Sequence, residues 1–368
     1  MKKTLAAVAV LGAFAGSALA ADVTLYGVVD FGLGYSHSDV DGDKTDSWGL
    51  KSGQDSMSRI GFKGTEQISE GLTVGFNLET GFDADTGKNK ATNPFHRESR
   101  LFIQTDFGEI GMGRFGALDS TTGAYNLAGS SLHATTGVGG IGDTGPIFLG
   151  QGDRMNNSIA YVSPKFGGFQ VRAMASLGGD TEFGDGTTGA EATHKVDRYY
   201  ALGATYDVGA LHTAVIVSQM DRADVYADQE IDDALTVTAG ASYDFGVTKA
   251  FIAGQYYDNA QASSAYDKET KTWDPDFGAK GYGVTVGAKT PVLGGVLTTQ
   301  VGYADAEDVN DSKVEYSAYS VGALYHYGLS KRTTVYGGVG YLYQEDKDHG
   351  TSEETKTINA AVGLVHKF

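Results

Sequence analysis

Apolar and polar residues alternate with a period of two along most of this chain. In the first clear example, Leu25, Val29 and Phe31 share one parity, whereas Tyr26 and Asp30 share the other. Such alternation predicts β-strands, because successive side chains of a strand point to opposite faces. Sixteen segments show the pattern, and they begin near residues 22, 57, 71, 98, 109, 154, 168, 197, 210, 234, 247, 281, 296, 316, 331 and 356. The chain is therefore predicted to be all-β.

The connections between these segments are alternately short and long. Short connections carry tight-turn residues, as in Phe166-Gly167-Gly168 and Leu293-Gly294-Gly295. Long polar loops are expected at 36–56, 83–97, 117–153, 178–196, 221–233, 258–280, 304–315 and 345–355. Seven short turns and eight long loops make the fifteen connections that sixteen strands require. Antiparallel strands would then place every long loop at the same end of the molecule.

Two architectures could use this pattern, a soluble sandwich and a membrane barrel. The sandwich buries the apolar parity between two sheets, whereas the barrel turns it outward to lipid. Sixteen antiparallel strands are too many for one open twisted sheet. Aromatic residues also stand at strand ends on the apolar parity, as at Tyr325, Tyr327, Tyr341 and Tyr343, where barrels carry their aromatic girdles. We therefore predict a 16-stranded antiparallel transmembrane β-barrel over residues 21–368.

The last alternating segment predicts how the barrel closes. Between Ile358 and Phe368 the even positions are mostly apolar, and Leu364 and Phe368 lie in that row. We expect this row to face lipid, with Phe368 at a membrane interface. The last strand should pair with the first, because an open sheet edge in lipid would leave backbone groups unpaired.

The N-terminus and the composition limit the environment and the partners. Residues 1–20 have a basic start, a short apolar stretch and the small-residue site Ala18-Leu19-Ala20, which together predict a cleaved signal peptide. Cysteine is absent, so no disulfide can stabilise the exported chain. The formal net charge of −18 argues against a nucleic-acid partner, which would require basic residues along the phosphates.

Several stretches resemble one known family. "DVTLYGVVDFGLGYS", "SRIGFKGTEQISEGLTVGFNLETGF", "SRLFIQTDFGEIGMGRFGALDS", "GDRMNNSIAYVSPKFGGFQV" and the terminal "VGLVHKF" are similar to the general-diffusion porins of Gram-negative outer membranes, in particular the beta-proteobacterial and neisserial branch. The resemblance implies a homotrimer in contact with outer-membrane lipid and lipopolysaccharide. It also implies that the outer-membrane assembly machinery reads the C-terminal aromatic strand, and that small hydrophilic solutes and ions diffuse through the barrel.

The third long loop, residues 117–153, is the longest connection, and long loops are often functional. By resemblance it should fold into the lumen and narrow it. Asp119 and Asp143 are its clear acids and are our candidates for the acidic side of the constriction. The loop lacks the P-E-F-G-G stretch of the enterobacterial porins and is poorer in acids.

Four arginines are candidates for the basic side of the constriction. Arg59 and Arg100 alternate against aliphatic neighbours, and Arg154 alternates against a lipid-like parity that begins at Met155. By resemblance these three match the basic wall of the family, and Arg114 matches a further basic position. A pore selects by width and by the charges at its neck, so we expect a transverse field between these arginines and the loop acids.

Other functions have weaker support in the sequence. No catalytic residue, metal site or cofactor is predicted; the G-x-G-x-x-G match at 137–142 lies inside the third long loop, without the strand and helix of a dinucleotide site. A barrel hydrolase would need a Ser–His pair, for which His212 and His366 are the candidate histidines. A substrate-specific channel for sugars or dicarboxylates would use aromatic side chains in the lumen, such as Tyr26 and Phe102. A surface adhesin acting through acidic loops is a further alternative.

Overall fold

The computed structural model describes residues 23–150, 152–178, 191–192, 196–222, 233–260, 266–267, 272–273 and 278–368. The predicted signal peptide lies outside the described residues. Within them, one antiparallel sheet contains sixteen long strands, as the sequence predicts. Their bounds are β1 Thr24–Val40, β2 Arg59–Ser69, β3 Leu72–Asp83, β4 Glu98–Thr105, β5 Gly108–Gly116, β6 Arg154–Val162, β7 Phe169–Ser176, β8 Arg198–Val208, β9 Leu211–Asp221, β10 Ala234–Asp244, β11 Lys249–Ala260, β12 Ala279–Val292, β13 Gly295–Asp308, β14 Val314–Gly328, β15 Thr333–Asp348 and β16 Thr351–Lys367.

The sheet closes on itself through β1. The first residues of β1 pair with β2, with Thr24 opposite Lys63. From Val28 onward, β1 pairs with β16, with Val28 opposite Lys367. The backbone N–H groups of Gly27 and Phe368 each donate to the carbonyl oxygen of the other residue at 3.1 Å. Closure therefore pairs both edges of the sheet, which is what a sheet surrounded by lipid requires.

Apolar side chains cover the outer face of the barrel. Leu202 and Val339 are more than half exposed, whereas their neighbours Ala201 and Gly340 are buried on the inner face. Tyrosines form two outward rows: Tyr200, Tyr256, Tyr282, Tyr303 and Tyr319 near the long-loop end, and Tyr161, Tyr206, Tyr243 and Tyr327 near the short-turn end. Two aromatic girdles on an apolar outer face are characteristic of membrane barrels.

Three of the expected long loops contain strand instead. β1 continues to Val40 and pairs with an additional strand, Asp43–Ser52, inside the predicted loop 36–56. The predicted loops 304–315 and 345–355 shrink to residues 309–313 and 349–350. The polar sequence of these segments was interpreted as loop. Strands that extend beyond the membrane remain hydrogen-bonded to their neighbours, although both of their faces meet water. His349 and Gly350, with φ of 48° and 88°, form the two-residue turn between β15 and β16.

Few other elements occur in the described part of the chain. They are a four-residue helix α1, Gly129–Leu132, and the two-residue strands Lys88–Asn89, Tyr266–Asp267 and Thr272–Trp273. None of the helices among the described residues has the length and apolar character needed to cross a membrane.

The buried core lies inside the barrel rather than between two sheets. Three apolar clusters join residues of the segment 117–153, called the inner segment below, to the inner faces of strands. Leu127 packs near Ile216 in the first cluster, Ile147 packs in the second, and Ile141 packs with Leu324 in the third. The core thus positions the inner segment against the strand wall.

Candidate functional site

Hydrogen bonds fix the inner segment to strands far apart in the sequence. The Gln300 side-chain amide donates to the carbonyl oxygens of Thr135 and Gly142 at 2.8 and 3.0 Å. The Tyr316 hydroxyl donates to the carbonyl oxygen of Pro146 at 2.8 Å. Because β13 and β14 supply these inward-facing donors, the inner segment contacts the wall across the lumen from β2–β4.

Glycines on the inner face of the wall make room for this contact. A methyl group on Gly283 or Gly302 would meet Ile147, and one on Gly322 or Gly340 would meet Ile141. The wall is therefore shaped to receive two isoleucines, and neighbouring alanines such as those of β13 continue the same shallow surface.

A cavity of about 1270 Å³ remains between the inner segment and strands β1–β4. Residues 53–57 border it as well, because the chain between Ser52 and Arg59 turns inward. The buried Asp30 carboxylate holds this turn by accepting hydrogen bonds from the backbone N–H groups of Asp55 and Ser56, at 2.7 and 2.8 Å, and from the Tyr336 hydroxyl. The polar lining makes the cavity suited to water and hydrophilic solutes.

Guanidinium groups and glutamates line the strand side of the cavity in pairs. Arg97 Nε lies 2.7 Å from one carboxylate oxygen of Glu79, and Arg59 Nε lies 3.4 Å from the other. The Tyr26 hydroxyl also donates to Glu79, at 3.0 Å. One carboxylate on β3 therefore holds two arginines, one from β2 and one from the residue just before β4.

Arg100 forms a second group with the inner segment. Its Nε lies 3.1 Å from Glu98 Oε1, and its terminal nitrogen lies 2.9 Å from Glu109 Oε1. The Tyr125 hydroxyl accepts a hydrogen bond from Arg100 and donates one to Glu109 at 2.6 Å. Tyr125 thereby connects the inner segment to the charged wall. The Arg100 guanidinium also lies 4.5 Å from the centre of the Phe102 ring.

The four predicted arginines occupy two different places. Arg59 and Arg100 border the cavity, as does Arg97, which was not predicted from the sequence. Arg114 and Arg154 are not among its lining residues. They donate instead to the backbone carbonyl oxygens of His96 and Arg97, at 2.6 and 2.8 Å. Their side chains therefore hold the backbone that presents Arg97.

One local parity expectation was wrong. Met155 was placed on a lipid-facing row, but it is 4% exposed and packs in the cluster that contains Phe115. The cause is a β-bulge: the register between β5 and β6 shifts after Gly113–Ser158, and Asn157 adopts a positive φ of 47°. An extra residue in one strand reverses the faces beyond it.

The two predicted acids also separate. Asp143 borders the cavity and accepts a hydrogen bond from the Gly145 N–H at 3.0 Å. Asp119 is buried and accepts hydrogen bonds from the hydroxyls of Tyr199 and Ser218, so it fastens the inner segment to β8 and β9. Burial raises the pKa of both carboxyl groups above the usual range.

Most of the acidic side chains near the cavity were not predicted from the sequence. Glu79 and Glu98 lie on the inward-facing parity of β3 and β4, whereas Leu78 and Leu101 lie on the outward-facing parity of the same strands. This alternation was visible in the sequence. Their pairing with particular arginines was not visible, because it depends on the register between strands.

The residues considered for other functions have structural contacts. Tyr26 and Phe102 belong to the charged wall described above. His212 Nδ1 lies 2.6 Å from Asp207 Oδ1, and His366 Nδ1 lies 3.0 Å from Thr333 Oγ1. In the described part of the chain, neither histidine therefore has the serine contact that a hydrolase would need.

Comparison with known proteins agrees with this architecture. A sequence profile of Gram-negative porins matches residues 6–347. The chain belongs to the Gram-negative porin family. Outer membrane porin protein 32 of Delftia acidovorans is 32% identical to this porin, over 94% of this chain and 91% of its own. The major outer membrane protein P.IB of Neisseria meningitidis serogroup B is 27% identical over 100% of both chains.

A solved structure shows the same barrel. The anion-selective porin from Comamonas acidovorans superimposes with a TM-score of 0.67 at 26% identity, covering 95% of this porin and 100% of that chain. The resemblance, the closed 16-stranded barrel and the outer-membrane location expected from the sequence are thereby confirmed. This porin is a channel for passive diffusion through the outer membrane, and its relatives are channels rather than enzymes.

Proposed function

We propose that this porin selects solutes where Arg59, Arg97 and Arg100 face Asp143 across the cavity. The observation that carries the proposal is that all four side chains border one water-accessible space, the cations on the strand wall and the carboxylate on the inner segment. The anion-selective porin from Comamonas acidovorans, which has the same barrel, supports selection of solutes by charge in this porin.

The field in such a neck is transverse to the direction of transport. Opposed charges orient water and zwitterionic solutes, whereas an apolar solute cannot replace the ordered water. Four cationic side chains line this cavity, Arg59, Lys63, Arg97 and Arg100, together with four carboxylates, Asp55, Glu79, Glu98 and Asp143. These formal charges cancel, so the ion preference comes from how the cations and carboxylates are distributed around the cavity rather than from a net charge.

Reversal potentials measure this preference directly. In planar bilayers with a KCl gradient, the triple variant Arg59→Gln, Arg97→Gln, Arg100→Gln should shift the reversal potential toward cation preference while still giving ohmic steps. The double variant Arg97→Gln, Glu79→Gln removes one charge of each sign and should shift it far less. An unchanged reversal potential in the triple variant would refute the assigned role of the arginines.

Arg114 and Arg154 take a supporting part in this proposal. Each donates to a backbone carbonyl in the segment that presents Arg97, so they fix its guanidinium beside Glu79. The buried Asp119 likewise anchors the inner segment, which leaves Asp143 as its carboxylate at the neck.

We further propose that three copies associate through their apolar outer faces, in contact with outer-membrane lipid and lipopolysaccharide. The resemblance to trimeric porins and the apolar outer surface support this assembly. Chemical cross-linking in native membranes should yield a trimer band, and a monomer at every cross-linker concentration would contradict it. Delivery by the outer-membrane assembly machinery, after removal of residues 1–20, belongs to the same proposal.

A further inference from the structure

A second group of cationic side chains lies inside the barrel, away from the cavity at Arg100. Lys249 on β11 and Lys289 on β12 stand directly opposite each other in the strand register. Both share the inward parity, since Phe251, two residues after Lys249, is 4% exposed and Thr285, four residues before Lys289, is 2% exposed. Lys249 begins its strand and Lys289 lies close to the end of its own, so the pair sits at the short-turn end of the lumen.

Both ammonium groups contact one aromatic ring. Lys249 Nζ lies 5.2 Å from the centre of the Phe251 ring and Lys289 Nζ lies 5.4 Å from it. The two nitrogens are therefore at most 10.6 Å apart. A cation–π contact attracts an ammonium group but leaves its charge in place. Like charges directly opposite each other destabilise a pair of strands, so strand stability does not explain this arrangement.

The carboxylates nearby already have other partners. Lys249 borders a recess of about 540 Å³ together with Asp207, His212 and Asp244. Asp207 lies 2.9 Å from Lys165 Nζ and 2.6 Å from His212 Nδ1, and Asp244 accepts a hydrogen bond from the Gly246 N–H at 2.7 Å. Asp55, whose charge interacts with Lys289, lies 3.0 Å from His326 Nε2. Among the described residues, no ion pair within 4.0 Å joins either lysine to a carboxylate.

We infer that Lys249 and Lys289 form an exit site for small oxyanions, with inorganic phosphate as the simplest ligand of that class. The inference rests on the selection at the arginines proposed above and adds a second binding site to it. β11 and β12 lie eight strands from β3 and β4, which is half the circumference of the barrel. An anion that has passed the arginines would therefore meet the lysines on the opposite wall at the short-turn mouth. Two ammonium groups can donate to separate oxygens of one oxyanion.

Inhibition of chloride current by phosphate tests the site. Single-channel currents are recorded at constant ionic strength while phosphate replaces part of the chloride. The double variant Lys249→Gln, Lys289→Gln should raise the half-inhibiting phosphate concentration about a hundredfold, about tenfold for each of the two lost charge-assisted contacts. Asp244→Asn, which removes the carboxylate opposite Lys249, should lower that concentration. The matched control, Lys331→Gln with Arg332→Gln, removes two positive charges from exposed positions in the short turn between β14 and β15 and should leave that concentration unchanged.

The outcomes separate this site from the selection at the arginines. An unchanged reversal potential in the triple arginine variant would overturn the proposed selection at the arginines. Normal steps with equal phosphate inhibition in the wild type and the double lysine variant would overturn the exit site alone, and so would normal steps without any phosphate inhibition. Inhibition that disappears in Arg100→Gln but persists in the double variant would place the phosphate at the arginines and likewise refute the exit site.

Discussion

Glu79 limits how much positive charge the arginines present to a solute. Its two oxygens lie 2.7 Å from Arg97 and 3.4 Å from Arg59, so one carboxylate offsets part of two cations. Glu79→Gln should therefore increase anion preference, seen as a shift of the reversal potential opposite to that of the triple arginine variant. Glu66→Gln is the matched control, since it removes the same charge from exposed surface near the β2–β3 turn. Equal shifts in the two variants would show that net charge, rather than the pairing at the wall, controls selectivity.

His133 makes the docking of the inner segment sensitive to acid. The imidazole is fully buried between Phe148 and Thr285, and its Nε2 has no hydrogen-bond partner. Burial lowers the pKa of His133 to about 4. Because the pKa of His133 is lower in the docked state, the neutral imidazole contributes its full stabilisation of docking at pH values above the ordinary histidine pKa of about 6.5. As the pH falls from about 6.5 to about 4, only the undocked segment gains a proton, and docking loses up to about 3 kcal/mol.

The lowered pKa of His133 predicts larger fluctuations of the channel current at acidic pH. Current fluctuations should increase as the pH falls from about 6.5 to about 4 and should level off below that range, because both states are then protonated. His133→Leu keeps an apolar filling without a titrating group, so its noise should vary little over the same range. A wild-type noise profile that matches the His133→Leu profile would contradict this account.

At the scale of single residues, the sequence predicted which side chains face the lumen better than it predicted their ion-pair and hydrogen-bond partners. Alternation placed Arg59 and Arg100 inside the barrel, and both line the cavity. Arg97 precedes its strand, so no alternation marked it. Met155 was assigned to the wrong face because a single extra residue at Asn157 reverses parity, and the sequence alone does not mark a bulge.

At the scale of elements, the inner segment depends on the shape of the wall. A methyl group on Gly283 would collide with the carbonyl oxygen of Ile147, which belongs to backbone and cannot turn aside as a side chain can. Gly283→Ala should therefore push the inner segment toward the arginines. Overpacking of this kind costs about 1–3 kcal/mol. We expect a lower single-channel conductance and a lower unfolding temperature.

A neighbouring glycine provides the control for this experiment. Gly254 pairs with Val284 on the outer face, and a methyl group there would have only ordinary contacts, at 3.8 Å or more. Gly254→Ala should keep the wild-type conductance. If Gly283→Ala conducts like Gly254→Ala, the wall glycines do not set the position of the inner segment.

Strand number was predictable from alternation, whereas strand height was not. Hydropathy changes where a strand leaves lipid, but the hydrogen-bond ladder continues, as in the pairing of Asp348 with Thr351 at the top of β15 and β16. The long-loop end is therefore taller and more regular than the sequence indicated. The inward turn at residues 53–57 was also missed, because it depends on Asp30, a residue far away along the chain.

At the scale of the whole molecule, closure joins residues separated by almost the entire sequence. The Phe368 N–H and carbonyl bond to Gly27, and the Phe368 ring lies against the Gly27 backbone on the outer face. The alternation of the last segment predicted this lipid-facing row. The register of the closing pair could not be predicted from the same pattern, since every shift by two residues preserves the faces.

Removal of Phe368 should weaken the closed barrel in two separable steps. Phe368→Ala keeps both backbone hydrogen bonds but loses the ring contact, whereas deletion of the residue also loses the two bonds, worth about 1 kcal/mol each. Heat-induced conversion from the folded to the unfolded band on gels should therefore begin at a lower temperature for Phe368→Ala and at a still lower one for the deletion. Phe107→Ala removes an exposed ring at the same end without touching the closure, so its transition should remain close to that of the wild type. If the deletion unfolds at the same temperature as Phe107→Ala, the bonds between Gly27 and Phe368 do not contribute to the stability of the barrel.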